Sequence, residues 1–275
     1  MSASENLGPH LLGRRPSAAD PRDYQLAEFL SDDPLDAALT TLMTSHAAQA
    51  TKAWAKIATA RIHALEPAPT PGPTPPTPPA PPNPNPTPPA APTAVVWEDT
   101  DSVLDQGQTP HCVGFGSAQW GNTLPVDDHF TNADGNAIYY ECKVIDGEPK
   151  AEDGSDVRSA GKALRNRGRV AAYAFAASID EACQWVLQHG PVIMGTDWTN
   201  DMFNPDGQGF VKPTGGVAGG HCYVLLGYDS PAEVLTFLNS WGSSWAQNGR
   251  FHMHKADATT LFANKGEALA AVELP

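Results

Sequence analysis

The apolar positions change their rhythm twice along the chain. From Pro34 to Leu65, the residues Leu35, Leu39, Leu42, His46, Ala50, Ala53, Ile57 and Leu65 fall on or near one helical face. With Asp33 as cap and Pro34 in the first turn, this predicts one long amphipathic helix or two. Such a helix needs cover for its apolar stripe, from the rest of the chain, a second copy or another protein. His46 and Trp54 on it are read as packing residues. Between Pro67 and Pro92 the rhythm stops, in an uncharged stretch holding more than half of the chain's 27 prolines. Proline fixes φ and lacks a donor N–H, so this segment predicts a polyproline II spacer of about 3.1 Å per residue. A ligand for an SH3-type domain is the other reading.

Beyond the prolines, helical spacing comes first and alternation later. Helices are predicted over 114–122, over 156–167 with Gly168 as the stop, and over 180–188, where Ser178 and Glu181 form an S-x-x-E box. Strands are predicted over 191–196, 221–228, 233–240 and 249–254. Helices followed by strands predict an α+β domain with an antiparallel sheet or barrel in its second half. The expected divisions are an N-terminal arm (1–33), the amphipathic segment (34–66), the Pro-rich linker (67–93) and the folded domain (94–275).

Composition narrows the function classes. A formal charge of -14 and a pI near 4.9 in 275 residues argue against nucleic-acid binding, which needs a basic surface. No run reaches the roughly 18 apolar residues of a membrane helix, and the first 20 residues lack a signal peptide's basic end and apolar block. The expectation is a soluble protein, cytoplasmic or virion-associated rather than Sec-secreted. Cys112, Cys142, Cys183 and Cys222 show neither a paired framework nor a C-x-x-C zinc pattern, which predicts free thiols in a reducing compartment.

Among these cysteines Cys112 stands apart, because it lies where a helix would begin. Unpaired N–H groups and the macrodipole at such a position favour a thiolate. A nucleophilic thiol also needs an imidazole base, a group to orient it, and donors for the oxyanion. Gln106 lies six residues upstream of Cys112. His221 begins one predicted strand and Asn239 ends the next, so a hairpin would bring them side by side.

Three segments carry a resemblance. DQGQTPHCVGF, GGHCYVLLGYD and NSWGSSWAQNG resemble the signature blocks of papain-like cysteine peptidases, in that family's order. The matches are Gln106, Gly107, Cys112, Phe115 and Ser117; His221, Val224, Gly227 and Tyr228; and Asn239, Ser240, Trp241, Gly242, Trp245 and Gly249. The resemblance runs from about Trp97 to Glu273 and implies a papain-like two-lobed α+β fold, with the cysteine on the helical lobe and the histidine and asparagine on an antiparallel barrel-like lobe. It implies Cys112 as nucleophile, His221 as base and later acid, Asn239 as its orienter, and Gln106 with the Cys112 N–H as oxyanion hole. Trp241 would shield the His–Asn bond from water. No metal or organic cofactor is implied, and the substrate would be an extended peptide or protein.

The departures are local. Thr109 stands where the family keeps a disulfide cysteine, Val113 and Gly114 replace Trp and Ala, and Gly220 replaces the Asp or Asn before the histidine. His111 is read as a surface turn residue, and Cys142, Cys183 and Cys222 as core. Asp153, Gly154 and Ser155 would hydrogen-bond the substrate backbone. Gly195 would open the wall of the pocket for the residue two before the cut, which predicts room for a bulky apolar side chain. The arm LGRRPSAADPRDY (7–24) is similar to the leading arm of some bacterial members, yet no propeptide motif is present, so inhibition by a cleaved prosegment is not expected. The rival readings are a cell-wall peptide hydrolase or amidase with the same triad, and a non-catalytic docking protein acting through the 34–65 helix.

Overall fold

The computed structural model describes residues 10–20, 23–29 and 92–273. The predicted helical segment 34–66, with His46 and Trp54, and nearly all of the Pro-rich linker lie outside the described residues.

The described chain begins with short strands β1 (Arg14–Arg15) and β2 (Tyr24–Gln25) and a 3-10 turn at Leu26–Phe29. β3 (Ala94–Val96) leads to helices α1 (Cys112–Gly121) and α2 (Asn132–Ile145). Next come β4 (Ser155–Asp156), α3 (Val157–Asn166), β5 (Val170–Phe175) and α4 (Ile179–Gln188). Strands β6 (Val192–Thr199), β7 (Val217–Asp229), β8 (Val234–Leu238) and β9 (Arg250–His254) follow, then helix α5 (Lys255–Ala263) and strand β10 (Glu267–Glu273). The large sheet runs β2-β5-β10-β6-β7-β8-β9, with β3 also on β7. Its pairings are antiparallel except β2 with β5.

Both faces of the central strands are buried, so HCYVLLGY is apolar almost without interruption. Successive side chains alternate between two cores. Cys222, Val224 and Leu226 face α1 and α3 together with Ile193 and Leu269. Tyr223, Leu225 and Met194 face the other way, against Trp198, Phe251 and the apolar stripes of α4 and α5. The two lobes therefore share β6 and β7.

Helix starts agree closely with the spacing. The Asp156 side chain accepts from the Ser159 N–H at 2.8 Å and caps α3, and Ser178 accepts from the Glu181 N–H at 3.2 Å. The Glu181 carboxylate reaches the Ala177 N–H at 2.8 Å, one residue before the box position. Not expected were α2, α5, β5, β10 and the short strands β1, β2, β3 and β4. α2 begins where the Asp134 carboxylate accepts from the Thr131 N–H at 2.8 Å, a T-x-x-D signal followed by polar residues that hide the periodicity. β10 is alanine-rich and forms a strand because it fills the slot between β5 and β6.

Helix α1 is buried along its whole length, and its glycines permit this. A Cβ at Gly116 would lie 2.8 Å from the Cys222 Sγ, and one at Gly114 would lie 2.6 Å from the Tyr139 N. The first approach seats α1 on β7 beside Cys222, the residue after His221, and the second seats it on α2.

Candidate active site

Gln106 is set by a loop that pairs with the end of β8. Its N–H donates to the Ser240 O at 2.9 Å, and the Ser240 hydroxyl donates to the Gln106 Oε1 at 2.8 Å. The amide is thereby oriented with Nε2 outward, donating to the Thr109 O at 2.7 Å and to the Leu11 O at 3.1 Å. Ser240 was not anticipated in this role.

His221 and Asn239 come from neighbouring strands in register Val224↔Leu238. The His221 Nε2 lies 2.8 Å from the Asn239 Oδ1, and its Nδ1 has no hydrogen-bond partner among the described residues. Asn239 is held in turn: the Ser240 N–H donates to its Oδ1 at 2.8 Å, and the Gln119 Nε2 donates to its backbone O at 2.8 Å. Gln119 lies two turns beyond Cys112 on α1, so one helix carries the thiol and steadies the asparagine. Trp241 is almost fully buried with its ring 4.7 Å from that of His221, and Trp198 meets the imidazole edge-on at 4.9 Å. Water is thus kept from the His–Asn bond, which strengthens it.

The turn before Cys112 holds itself without a disulfide. The Thr109 hydroxyl donates to the Gln106 O at 2.7 Å. His111 corrects the expectation of a surface residue: it is buried, stacked on Tyr139 with centroids 3.8 Å apart. Its Nδ1 lies 2.6 Å from the Asn136 Oδ1 and its Nε2 2.8 Å from the Glu152 Oε2. An imidazole bridge ties the turn to α2 and to the loop before β4. All four cysteines are buried and free.

The cleft between the lobes is filled by the chain's own arm. His10 stacks on Trp241, Leu11 offers its carbonyl to Gln106, and the Gly13 O accepts from the Ser155 N–H at 2.8 Å. β1 then runs parallel to β4, pairing Arg14 with Ser155. Two glycines make room for it. A Cβ at Gly154, whose φ is +90, would collide with the Gly13 O, and one at Gly220 would collide with the Arg14 O. The Arg14 side chain lies against Gly195 and pairs with the Glu267 carboxylate. Further along, Arg15 pairs with Asp146 and Glu148, each at 2.8 Å, Asp23 pairs with Arg158, and Leu26 is fully buried in the core.

Burial governs the electrostatics of the pair. Burial pushes the Cys112 thiol up to about 11, although backbone hydrogen bonds from Cys222, Gly13 and Val113 and the charge of Arg14 favour the thiolate. Burial likewise pushes His221 down to about 4, opposed by the Asn239 hydrogen bond and reinforced by His10. With the arm in place the neutral thiol and neutral imidazole are the stable forms. Among the described residues no group of three or more His, Cys, Asp or Glu side chains could hold a metal ion, and no helix is long and apolar enough to cross a membrane.

Residues 140–268 match the family described as papain family cysteine protease, a range that includes His221 and Asn239 but begins after Gln106 and Cys112. A stretch of 84 residues is 29% identical to cathepsin B-like cysteine proteinase 6 of Caenorhabditis elegans, covering 30% of this chain and only 22% of that relative. Among solved structures, xylellain, a cysteine protease from Xylella fastidiosa, superposes with a TM-score of 0.63 at 16% identity, over 98% of both chains. The procathepsin B S9 structure from Trypanosoma congolense gives 0.53 at 11% identity, covering 67% of this chain and 78% of its own. The fold is papain-like.

Proposed function

We propose that this papain-like chain is a thiol peptidase whose cleft is held closed by its own N-terminal arm. The observation that carries the reading is the Gln106 Nε2 donating to a peptide carbonyl, that of Leu11, in a cleft that also holds Cys112 and an Asn239-oriented His221.

In the open cleft, the His221 Nδ1 takes the proton of the Cys112 thiol while Nε2–H stays on the Asn239 Oδ1. The Cys112 Sγ forms a bond to the acyl carbon of an extended peptide. The carbonyl oxygen becomes an oxyanion and accepts from the Gln106 Nε2 and the Cys112 N–H. Collapse breaks the C–N bond as His221 returns the proton to the leaving amine. Water, deprotonated by His221, then hydrolyses the thioester and restores the thiol.

The arm meets the groups proposed to bind substrate, in a direction that does not suit cleavage. A substrate with its reacting carbonyl at Gln106 and its preceding residues along Ser155 runs antiparallel to β4. The arm passes from Gln106 at Leu11 to Ser155 at Gly13 and runs parallel to β4. The segment 34–65 is proposed as a docking element for a protein partner.

The test is hydrolysis of a fluorogenic peptide panel by the full chain under reducing conditions, beside Cys112→Ala, with a separate sample freed of reductant and labelled with an iodoacetamide probe. Selective labelling at Cys112 with peptide turnover supports the reading. Turbidity loss of a cell-wall suspension without cleavage of the panel would favour the amidase. No selective labelling, even with Arg14→Ala to loosen the arm, would favour the docking protein.

A further inference from the structure

His111 stands directly before Cys112, at the residue that opens α1, and its ring is held between two acceptors. On one side the Asn136 Nδ2 donates to the Asn132 O at 3.0 Å, so the amide presents its Oδ1 to the His111 Nδ1, 2.6 Å away. That nitrogen therefore carries a hydrogen. On the other side the Nε2 lies 2.8 Å from the Glu152 Oε2, and the hydrogen bond from His111 holds the Glu152 carboxyl below its ordinary range. A bare Nε2 would set its lone pair against a carboxylate oxygen, so this nitrogen carries a hydrogen too. With both nitrogens protonated the ring is an imidazolium. Tyr139 lies flat against it with centroids 3.8 Å apart, an aromatic face that favours a cation.

A cation is not what the start of a helix calls for. Helix N-termini favour Ser, Thr, Asp or Asn as caps and disfavour positive charge, and the His111 side chain makes no cap hydrogen bond. What the position gains is a positive charge beside a thiol, an arrangement that favours the thiolate. We propose that His111 is a positioning residue that acts through Cys112: its imidazolium, kept charged by Asn136 and Glu152, favours the thiolate form of the nucleophile. The proposal rests on the peptidase reading of the same cleft. The proton leaving the Cys112 Sγ still goes to the His221 Nδ1, while His111 keeps both of its own and steadies the charge left on sulfur.

Glu152 does not cancel this effect, because its side chain is 53% exposed and screened by water whereas that of His111 is 4% exposed. The other ionisable groups around the ring are Tyr139 and Tyr140 on α2 and Asp153 beside Glu152, and Asp153 is paired with Lys143 at 2.8 Å. The arm faces the same side with Leu11 and Leu12, which carry no charge. Arg14 favours the Cys112 thiolate only while the arm is in place. His111 belongs to the folded body, so its charge stays when the arm leaves.

The test reads the thiol. In full chains carrying Arg14→Ala to loosen the arm, the pH dependence of Cys112 alkylation by iodoacetamide is compared with and without His111→Gln, which keeps a donor but loses the charge. His111→Gln is expected to raise the midpoint by about one pH unit or more. It should also lower kcat about tenfold on the acid limb of the pH profile, with KM little changed. A loss of stability with the midpoint unchanged, or a midpoint that falls, would overturn the proposal. Should His111→Gln fail to fold, His111→Ser takes its place. Serine is the better cap, so a merely structural role predicts an unchanged midpoint, which would overturn the proposal, and the charge predicts the same rise. Nitrogen-15 NMR of the unsubstituted chain reads the ring itself: two ring N–H groups on His111 at pH 7 are expected, and a single one would overturn it. Absence of peptide hydrolysis by the unsubstituted chain would sink the peptidase reading, while the alkylation midpoint would still decide the role of His111.

Discussion

The imidazole of His10 lies flat on the indole of Trp241, with centroids 4.4 Å apart and planes only 4° apart. Trp241 also packs on His221, so the ring that protects the His–Asn pair is itself roofed by the arm. A stacked aromatic pair contributes about 0.5–1.5 kcal/mol beyond its area. His10→Ala should therefore open the cleft more often and raise the rate of Cys112 alkylation by up to about tenfold. An unchanged rate would show that His10 does not help to hold the arm.

Gly154 provides a sharper version of the same test. A Cβ there would meet the Gly13 O, whereas one at Gly107, also at positive φ, would meet nothing. Both alanine variants carry the left-handed backbone cost of about 1–2 kcal/mol. Only Gly154→Ala should expel the arm. Faster alkylation in Gly154→Ala and not in Gly107→Ala is the expected pattern.

The buried pair makes the folded state sensitive to acid. In an exposed chain His221 takes up a proton near its ordinary value of about 6.5; with the arm in place it does so only near 4, because of burial. Its neutral form therefore stabilises the folded state above about pH 6.5, and this contribution drains away as pH falls from 6.5 towards 4. His10, also lowered by burial though raised in part by Asp105, acts in the same direction. Cys112 is the mirror case: its contribution is present below about pH 9 and lost as pH rises towards 11. The melting temperature should be highest between about pH 6.5 and 9. Its acid-side fall should be smaller in His221→Gln, and an identical profile for the two proteins would refute the linkage.

Gln106 and Ser240 separate donor from support. If Gln106 stabilises the oxyanion, Gln106→Ala should lower kcat by about 10²–10³ with little change in KM. Ser240→Ala removes only the hydroxyl that fixes the amide, so a smaller fall of the same kind is expected. A Ser240→Ala effect confined to KM would contradict this positioning role.

Leu26 shows that the arm is part of the fold at its far end. It is fully buried among the core residues on the α4 side of the sheet. Leu26→Ala should cost about 2–5 kcal/mol of stability in denaturant titration. A loss below about 0.5 kcal/mol would mean that this end of the arm is dispensable.

Much of the site was legible because its residues carry local signals. Cys112 precedes a helical run, the Asn239–Trp241 block is dense with unusual residues, and apolar strands place His221 and Asn239 on neighbours in one sheet. The positioning roles of Ser240 and Gln119 escaped notice because hydrogen bonds across 134 and 120 residues have no periodicity to reveal them. His111 looked like a turn residue because its partners, Asn136 and Glu152, lie on segments that come near only after α2 has folded.

The amino-acid sequence by itself determined the α+β order, the helix starts at Asp156 and Ser178, the free cysteines and the set of candidate catalytic groups. Each of these depends on spacing within a few residues or on residue chemistry. Only the tertiary structure decided that the arm lies in the cleft, that it runs parallel to β4, and that Gly195 faces Glu267 with Arg14 between them. Those relations join residues far apart in the chain, through strand register and the collision-free space above Gly154 and Gly220. The pattern showed that Gly195 leaves a space. That the space carries a negative charge follows from β10 lying beside β6, an adjacency set by the folding of the whole sheet.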